Sequence, residues 1–555
     1  MACRLEGKER IERICFIGQN TSMNLQHQPY ASIRSPILGA RGAVATSQPL
    51  AAQTGLEMLK AGGNAVDAAI ATAVALTVLE PTSNGIGGDA FALVWDGNKL
   101  HGLNASGRAP ANTNLELFSS RGLTSVPRHG WLPVTVPGAP SAWRDLHAKF
   151  GKLEFEALFQ PAIAYATDGY PVSPTLARNW GVAAQVYSRF STPEFSPWHK
   201  TFTWAGRAPN AGEMFALPDH AKTLALIART RGEAFYDGEL ARRIEDFAAQ
   251  TGGFITAADL RAHTANWVDP ISTNYRGYDV WEIPPNGQGI AALAALNILE
   301  GFELSRHARD SIEGYHLQIE AMKLAFMDAH AFVADPGRAN VPTAGMLDKR
   351  YATERRKLML ETALEPTAGK PSRGGTVYLC TADRDGMMVS YIQSNYAGFG
   401  SGIVVPGTGI ALQNRGANFT LEPNHPNQLE PGKRPYHTII PGFLSKDGRA
   451  VGPFGVMGGF MQPQGHLQMI VNTVDYDLNP QASLDAPRWQ WIEGKQIELE
   501  LHTSTHIAEG LRERGHQITM QLDKGSFGRG QIIWRLNDVL VAASDSRTDG
   551  QALAF

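Results

Sequence analysis

The chain has 555 residues, with 50 Lys and Arg against 53 Asp and Glu and a formal charge of −3, so it carries no global basic field of the kind that draws nucleic acid or an anionic membrane. A hydrophobic fraction of 43% and a charged fraction of 19% fit a globular protein with a sizeable core and argue against overall disorder. The three cysteines, Cys3, Cys15 and Cys380, are too few and too scattered for a disulfide framework or a Cys-ligated zinc, and a reducing, cytoplasmic setting is expected.

Residues 1–36 are polar and mixed and are expected to form a poorly ordered tail. The apolar patch Ile14-Cys15-Phe16-Ile17 is too short for a signal-peptide core, and Met23 offers a second start. Folding is expected to begin near Gly42 with a strand, followed by helices over 51–60 and 64–79. Gly62-Gly63 separates the two helices, Asn64 is the N-cap of the second, and Asp67 lies in its first turn. The alanine-rich run 68–79 is too short to span a bilayer and reads as a buried core helix. Gly85-Ile86-Gly87-Gly88-Asp89 then turns into a buried strand over 90–95, and Asp96-Gly97-Asn98 returns the chain as a hairpin.

The middle third carries helical periodicity at 222–228, 240–249, 291–299 and 315–332, and Thr256-Ala257-Ala258-Asp259 resembles a capping box. Residues 365–373 are rich in charge and turn-formers and predict an exposed loop. From Thr376 the pattern changes to strands. Thr376, Tyr378 and Cys380 share one face, and Val377 and Leu379 share the other. Asp383-Arg384-Asp385-Gly386 is a hairpin turn, and 388–393 is the returning strand.

Thr376 follows Gly374-Gly375 and opens that hairpin. A threonine hydroxyl is a weak nucleophile without an adjacent base, but a threonine that begins a chain has one in its own α-amino group. Cleavage before Thr376 would therefore create a catalyst. A Gly-Thr pair alone is a common turn, and further segments give it meaning. These are Gly62-Gly63-Asn64-Ala65-Val66-Asp67-Ala68-Ala69, Gly85-Ile86-Gly87-Gly88-Asp89-Ala90-Phe91, Val136-Pro137-Gly138, Phe235-Tyr236-Asp237-Gly238, and Gly252-Gly253-Phe254-Ile255-Thr256. Tyr275-Arg276-Gly277-Tyr278, Gly458-Gly459, 472–479 and Ala486-Pro487-Arg488 continue the series. In this order they resemble the γ-glutamyltranspeptidase (glutathione hydrolase) family of the N-terminal nucleophile hydrolase superfamily.

The resemblance implies an α+β fold, the four-layer αββα sandwich, and a proenzyme that cuts its own Gly375–Thr376 bond. Two fragments, 1–375 and 376–555, would form a heterodimer in one globular unit. Thr376 is implied as nucleophile and base, and Gly458 and Gly459 as the oxyanion hole. No cofactor and no metal are expected, and the partners expected are a small amide substrate and water or an amine acceptor.

The resemblance also implies departures in the substrate pocket. Ser106 stands where the transpeptidases carry an arginine for the substrate α-carboxylate, with Arg108 two residues later as a substitute. Asn418 stands in place of an aspartate for the α-ammonium, and a neutral amide loses the charge-assisted part of that contact. His437 and Thr438 replace a Ser-Ser pair, and Ser394 and Asn395 match a segment that orders the nucleophile and contacts substrate. These exchanges weaken glutathione as the substrate and leave the reaction class intact. The expected function is hydrolysis or transfer of a γ-glutamyl or related acyl group. The alternatives are a glutaryl-type (cephalosporin-acylase-like) amidohydrolase and, in another class, an unprocessed non-catalytic binding protein.

Two other constellations are read as structural. His316 and Glu320 lie one helical turn apart, with Asp328 and His330 beyond, but no third ligand at metal-binding spacing accompanies them. Gly398-Phe399-Gly400-Ser401-Gly402 lacks the Gly-Lys-Ser/Thr ending of a phosphate loop.

Overall fold

The computed structural model describes residues 34–366 and 375–555. Most of the expected tail and of the 365–373 loop lies outside the described residues. The described chain is tied down from its first residue, where Arg34 donates to the carbonyls of Asp545 and Thr548 at 2.8 and 3.1 Å.

The strongest sequence signals became elements close to where they were expected. Helices run Pro49–Lys60, Ala65–Leu79, Pro218–Arg229, Glu239–Thr251, Gly289–Leu299 and Ile312–Phe332. Asn64 and Asp67 form a capping box, and every residue of Ala65–Leu79 is buried, as its uniformly small apolar sequence requires. Thr256 and Asp259 also form a capping box, although the helix they start, Ala257–Arg261, is only five residues long. Among the described residues no helix is long and apolar enough to cross a membrane.

Two seven-stranded sheets form the centre. One runs, edge to edge, Gln551–Ala554, Gly42–Thr46, Gly375–Asp383, Met388–Tyr396, Asp89–Trp95, Leu100–Asn104 and Asn266–Val268. The other runs Ile37–Gly39, Val539–Ser544, Arg529–Leu536, Arg449–Met457, Gly442–Lys446, Tyr278–Glu282 and Ile271–Tyr275. Alternation along Gly375–Asp383 builds two cores at once. Tyr378, Cys380 and Ala382 join Phe91, Ile392, Phe443 and Ile533 between the sheets. Val377 and Leu379 face the opposite way, into a core with the helix Ala65–Leu79. The outer face of the second sheet is covered by Gly289–Leu299, Ile312–Phe332 and Met461–Val474. The result is the four-layer αββα sandwich.

Both sheets combine strands from before and after Thr376, so the segments on either side of that residue share both sheets. A polar contact fixes them further. Asp383, at the end of the Thr376 strand, accepts the Ala65 N–H at 3.0 Å through Oδ2 and the Asp385 and Met387 N–H groups at 3.0 Å through Oδ1. One carboxylate thus closes the hairpin and caps the buried helix. Asp383→Ala leaves these donors without their acceptor, and we predict a loss of roughly 1–3 kcal/mol, read as a lower urea midpoint. An unchanged midpoint would show that the cap contributes nothing.

Candidate active site

Thr376 is 1% exposed, and its Oγ1 donates to Ser394 Oγ at 3.2 Å. Ser394 Oγ in turn accepts the Tyr396 N–H at 2.7 Å. The pairing slips here. Gly375 opposes Tyr396 whereas Val377 opposes Gln393, so Ser394 and Asn395 together face Thr376 in a bulge. The returning strand therefore extends past the expected 388–393 to Tyr396, whose φ of +79° is unusual for a residue with a side chain. Strand ladders on both flanks set where Thr376 sits, and the bulge aims Ser394 at it.

Asn395 lies beneath the glycine-rich turn. A Cβ on Gly88 would come within 2.6 Å of the Ser394 carbonyl and 2.7 Å of Asn395 Oδ1, so the turn passes this close only as glycine. The Asn395 side-chain amide is buried without a hydrogen-bond partner among the described residues, while its backbone carbonyl accepts the Asn414 N–H at 3.1 Å.

Directly opposite Ser394 in the ladder is Asp89, fully buried. Its Oδ1 accepts the Gly107 N–H at 3.1 Å and Gln413 Nε2 at 2.8 Å, and its Oδ2 accepts His437 Nε2 at 2.9 Å. Burial pushes the Asp89 carboxyl up to about 6, opposed by the nearby Arg415 guanidinium and by these hydrogen bonds. Burial also holds His437 well below its usual range, with Arg415 and Arg434 acting in the same direction. The pair is therefore a neutral imidazole donating to a carboxylate.

Arg415 is fully buried. Its Nη1 donates to Thr438 Oγ1 at 2.6 Å, and its guanidinium carbon lies 4.7 Å from the centre of the Tyr396 ring. Burial lowers it to about 10, with Asp89 opposing, so it remains a cation at neutral pH. Gln288 links this side of the site to the glycine pair, since its Nε2 donates to the carbonyls of Thr438 and Gly459 at 2.7 and 2.9 Å. Gly458 and Gly459 have φ of +137° and +62° and connect the strand Arg449–Met457 to the helix Met461–Val474. Their N–H groups thus lie at the positive end of a helix.

The structure brings Thr376, Ser394, Asn395, His437, Thr438 and the Gly458-Gly459 turn into one contact network. Ser106 is fully buried and spoken for, donating to Asn104 Oδ1 at 2.7 Å and accepting Asn286 Nδ2 at 3.2 Å. Arg108 does not join them through any of these contacts. It is half-exposed and donates to Asp335 at 3.3 Å and to the Gly432 carbonyl at 3.1 Å. Asn418 closes the short turn Arg415–Asn418, and its carbonyl accepts Asn427 Nδ2 at 2.6 Å. Sequence reasoning passed over Asp89, Gln288 and Arg415. Asp89 and Arg415 sat inside segments that were read for other residues, and nothing marks Gln288 locally.

The helix Ile312–Phe332 does acquire a third metal-type ligand, contrary to the sequence reading. His316, Glu320 and His516 are buried with ligand atoms within 4.8 Å of one another. Apart from His516 Nδ1, which has no hydrogen-bond partner among the described residues, their ligand atoms are already engaged. His316 bonds His516 at 2.9 Å and the Leu360 carbonyl at 2.8 Å, and Glu320 accepts Lys323 at 2.8 Å and the Leu364 N–H at 2.9 Å. The Lys323 ammonium is the cluster's cation, so the donor set does not fit a metal ion. The glycine loop at Gly398 sends Phe399 into an aromatic cluster with Trp180, Trp198 and Phe202, a packing role.

The family model described as gamma-glutamyltranspeptidase matches residues 51–555. The glutathione hydrolase-like YwrD proenzyme of Bacillus subtilis (strain 168) is 35% identical, over 94% of this chain and 99% of that protein. The acylase ACY 1 proenzyme of Pseudomonas sp. (strain SE83) is 34% identical, over 94% of this chain and 95% of that one. Among solved structures, cephalosporin acylase from Bacillus halodurans superposes with a TM-score of 0.92 at 56% identity, covering 96% of this chain and 99% of that one. The chain belongs to the gamma-glutamyltranspeptidase family of N-terminal nucleophile hydrolases.

Proposed function

We propose that this chain is a self-cleaving proenzyme that hydrolyses, or transfers to an amine, the acyl group of a γ-glutamyl or related amide through an acyl-Thr376 intermediate. The observation that carries the reading is the buried Thr376 hydroxyl, bonded to Ser394 at the start of a strand whose register both neighbours fix. In processing, Thr376 Oγ attacks the Gly375 carbonyl carbon and the bond to the Thr376 nitrogen breaks, giving an ester. Water then releases a Gly375 carboxylate and frees both the amine and the hydroxyl of Thr376. In turnover the amine takes the Oγ proton as Oγ attacks the substrate amide. The leaving amine departs protonated, and water or an acceptor amine cleaves the ester. Gly458 and Gly459 supply N–H donors to the oxyanion, an effect worth roughly 3–4 kcal/mol per donor elsewhere.

The pocket supports an acyl group without an α-ammonium. Ser106 is engaged internally, Arg108 is bonded to Asp335, and Asn418 offers no charge. Relatives named as acylases point the same way, whereas those named as glutathione hydrolases favour hydrolysis of a glutathione-type amide. Comparing γ-glutamyl and glutaryl anilides separates them, and much faster γ-glutamyl turnover would remove the acylase reading. A cytoplasmic setting belongs to the same proposal.

Three outcomes are expected. On a denaturing gel with intact mass, the protein resolves into 1–375 and 376–555, which co-elute under native conditions because their strands interleave. Thr376→Ala abolishes both cleavage and turnover. A full-length wild-type chain that persists on long incubation would support the non-catalytic alternative, and cleavage of the alanine variant at the same bond would refute self-attack. Second, kcat/KM rises with pH through a single ionisation at about 7–8, as the α-amine loses its proton. A profile flat from pH 6 to 9 would exclude the amine as base. Third, Asp89→Asn turns an NH2 toward His437 or toward Gln413 and Gly107, and activity falls at least about 10-fold while the fold survives a loss of roughly 1–3 kcal/mol. Full activity in this variant would show that the carboxylate does not position the site.

A further inference from the structure

A cavity of about 520 Å³ lies between the helices Ser196–Phe202 and Pro218–Arg229, the strand Met214–Phe215 and the turn at Pro406-Gly407. That is the size of a small-molecule site, and none of the residues that line it belongs to the contact network around Thr376. Its apolar wall is aromatic. Trp204, Phe215 and Phe247 line it, with the Trp204 and Phe215 rings 6.2 Å apart at 67°. Trp204 is 52% exposed, so a large aromatic face at the cavity has nothing packed on it. The turn is held rigidly. The Val405 N–H donates to the Ile410 carbonyl at 3.0 Å, and Thr223 Oγ1, on the helix Pro218–Arg229, donates to the Thr408 carbonyl at 2.8 Å.

The polar lining offers donors. The helix Pro218–Arg229 starts without a side-chain cap, and its first-turn residues Pro218, Asp219 and His220 line the cavity. The N–H groups of Asp219 and His220 have no partner among the described residues. His220 is 1% exposed. Its Nδ1 is sealed without a partner against Gly409, where a Cβ would come within 2.1 Å of it, so Nε2 is the end of the ring that reaches the cavity. Burial lowers this imidazole to about 4, so it is neutral at neutral pH, and a proton on Nε2 leaves no N–H walled in at Nδ1. Lys200 adds a cation that has no ion pair or hydrogen bond among the described residues, whereas the Asp219 carboxylate is met by Lys222 at 3.2 Å.

We infer that this cavity is a binding site for an aromatic carboxylic acid, its ring against Trp204 and Phe215 and its carboxylate received by His220 Nε2, the free N–H groups of the helix start and Lys200. The site is separate from the one around Thr376 and does not rest on the hydrolase reading.

The probe is 2-naphthoate, titrated by calorimetry into the wild-type protein and into Thr376→Ala, with 2-naphthalenemethanol and protonated 2-naphthylmethylamine for comparison. One site with a Kd of about 0.1 mM is expected in both proteins, the scale for a ligand of this size. The alcohol and the ammonium should bind at least about 10-fold more weakly, because they lose the helix start and Lys200. Trp204→Ala should weaken the acid and the alcohol alike by about 5-fold, and Lys200→Met should weaken only the acid, by about 3-fold. No saturable binding up to about 5 mM overturns the site, as does equal binding of acid and ammonium. An affinity for naphthoate that neither variant changes also overturns it, since the acid is then held elsewhere. The expected pattern in a protein that neither cleaves itself nor turns over amides would sustain this site while the hydrolase reading fails.

Discussion

Everything at this site depends on one buried carboxylate. Asp89 opens a central strand, sits opposite Ser394, and accepts three hydrogen bonds from three separate stretches of chain, at Gly107, Gln413 and His437. Removing a carboxylate from water is expensive, and its rise to about 6 expresses that cost. The three donors and the Arg415 field offset it only when all four segments are in place. The site is thus tied together through Asp89, which sits on the strand paired with Met388–Tyr396, the returning partner of the Thr376 strand.

The same interleaving would let the proposed cut before Thr376 leave the molecule in one piece. Gly42–Thr46 and Asp89–Trp95, from the first part of the chain, flank the hairpin 375–396 on both sides in one sheet. Asp383 closes that hairpin and caps the helix Ala65–Leu79. A break before Thr376 removes no ladder hydrogen bond on the far side of the residue. It adds freedom only at Thr376, where the proposed mechanism uses a free amine.

Much of the fold was legible because local signals agreed with burial. Asn64 and Asp67 marked a helix start that the structure reproduces, and the alternation from Thr376 to Cys380 assigned the two faces of a strand buried on both. Legibility failed where partners are distant in sequence. His516 lies 200 residues from His316, so the buried cluster on that helix could not be read from spacing. Gln288 matters because one amide bridges Thr438 and Gly459, a fact of tertiary geometry alone. The bulge that aims Ser394 at Thr376 is likewise a property of pairing, since no turn residue announces it. The direction of the Arg108 side chain, toward Asp335, is likewise not set by its closeness in sequence to Ser106.

The charge balance around Thr376 ties recognition to catalysis. Asp89 is the carboxylate in the contact network, His437 is neutral, and Arg415 and Arg434 are buried cations that both act on His437. A pocket biased toward positive charge disfavours any further cation in it. Under the function proposed above, that penalises an α-ammonium on the substrate. For the amine that processing would create at Thr376, it favours the unprotonated form, which is the form a general base requires.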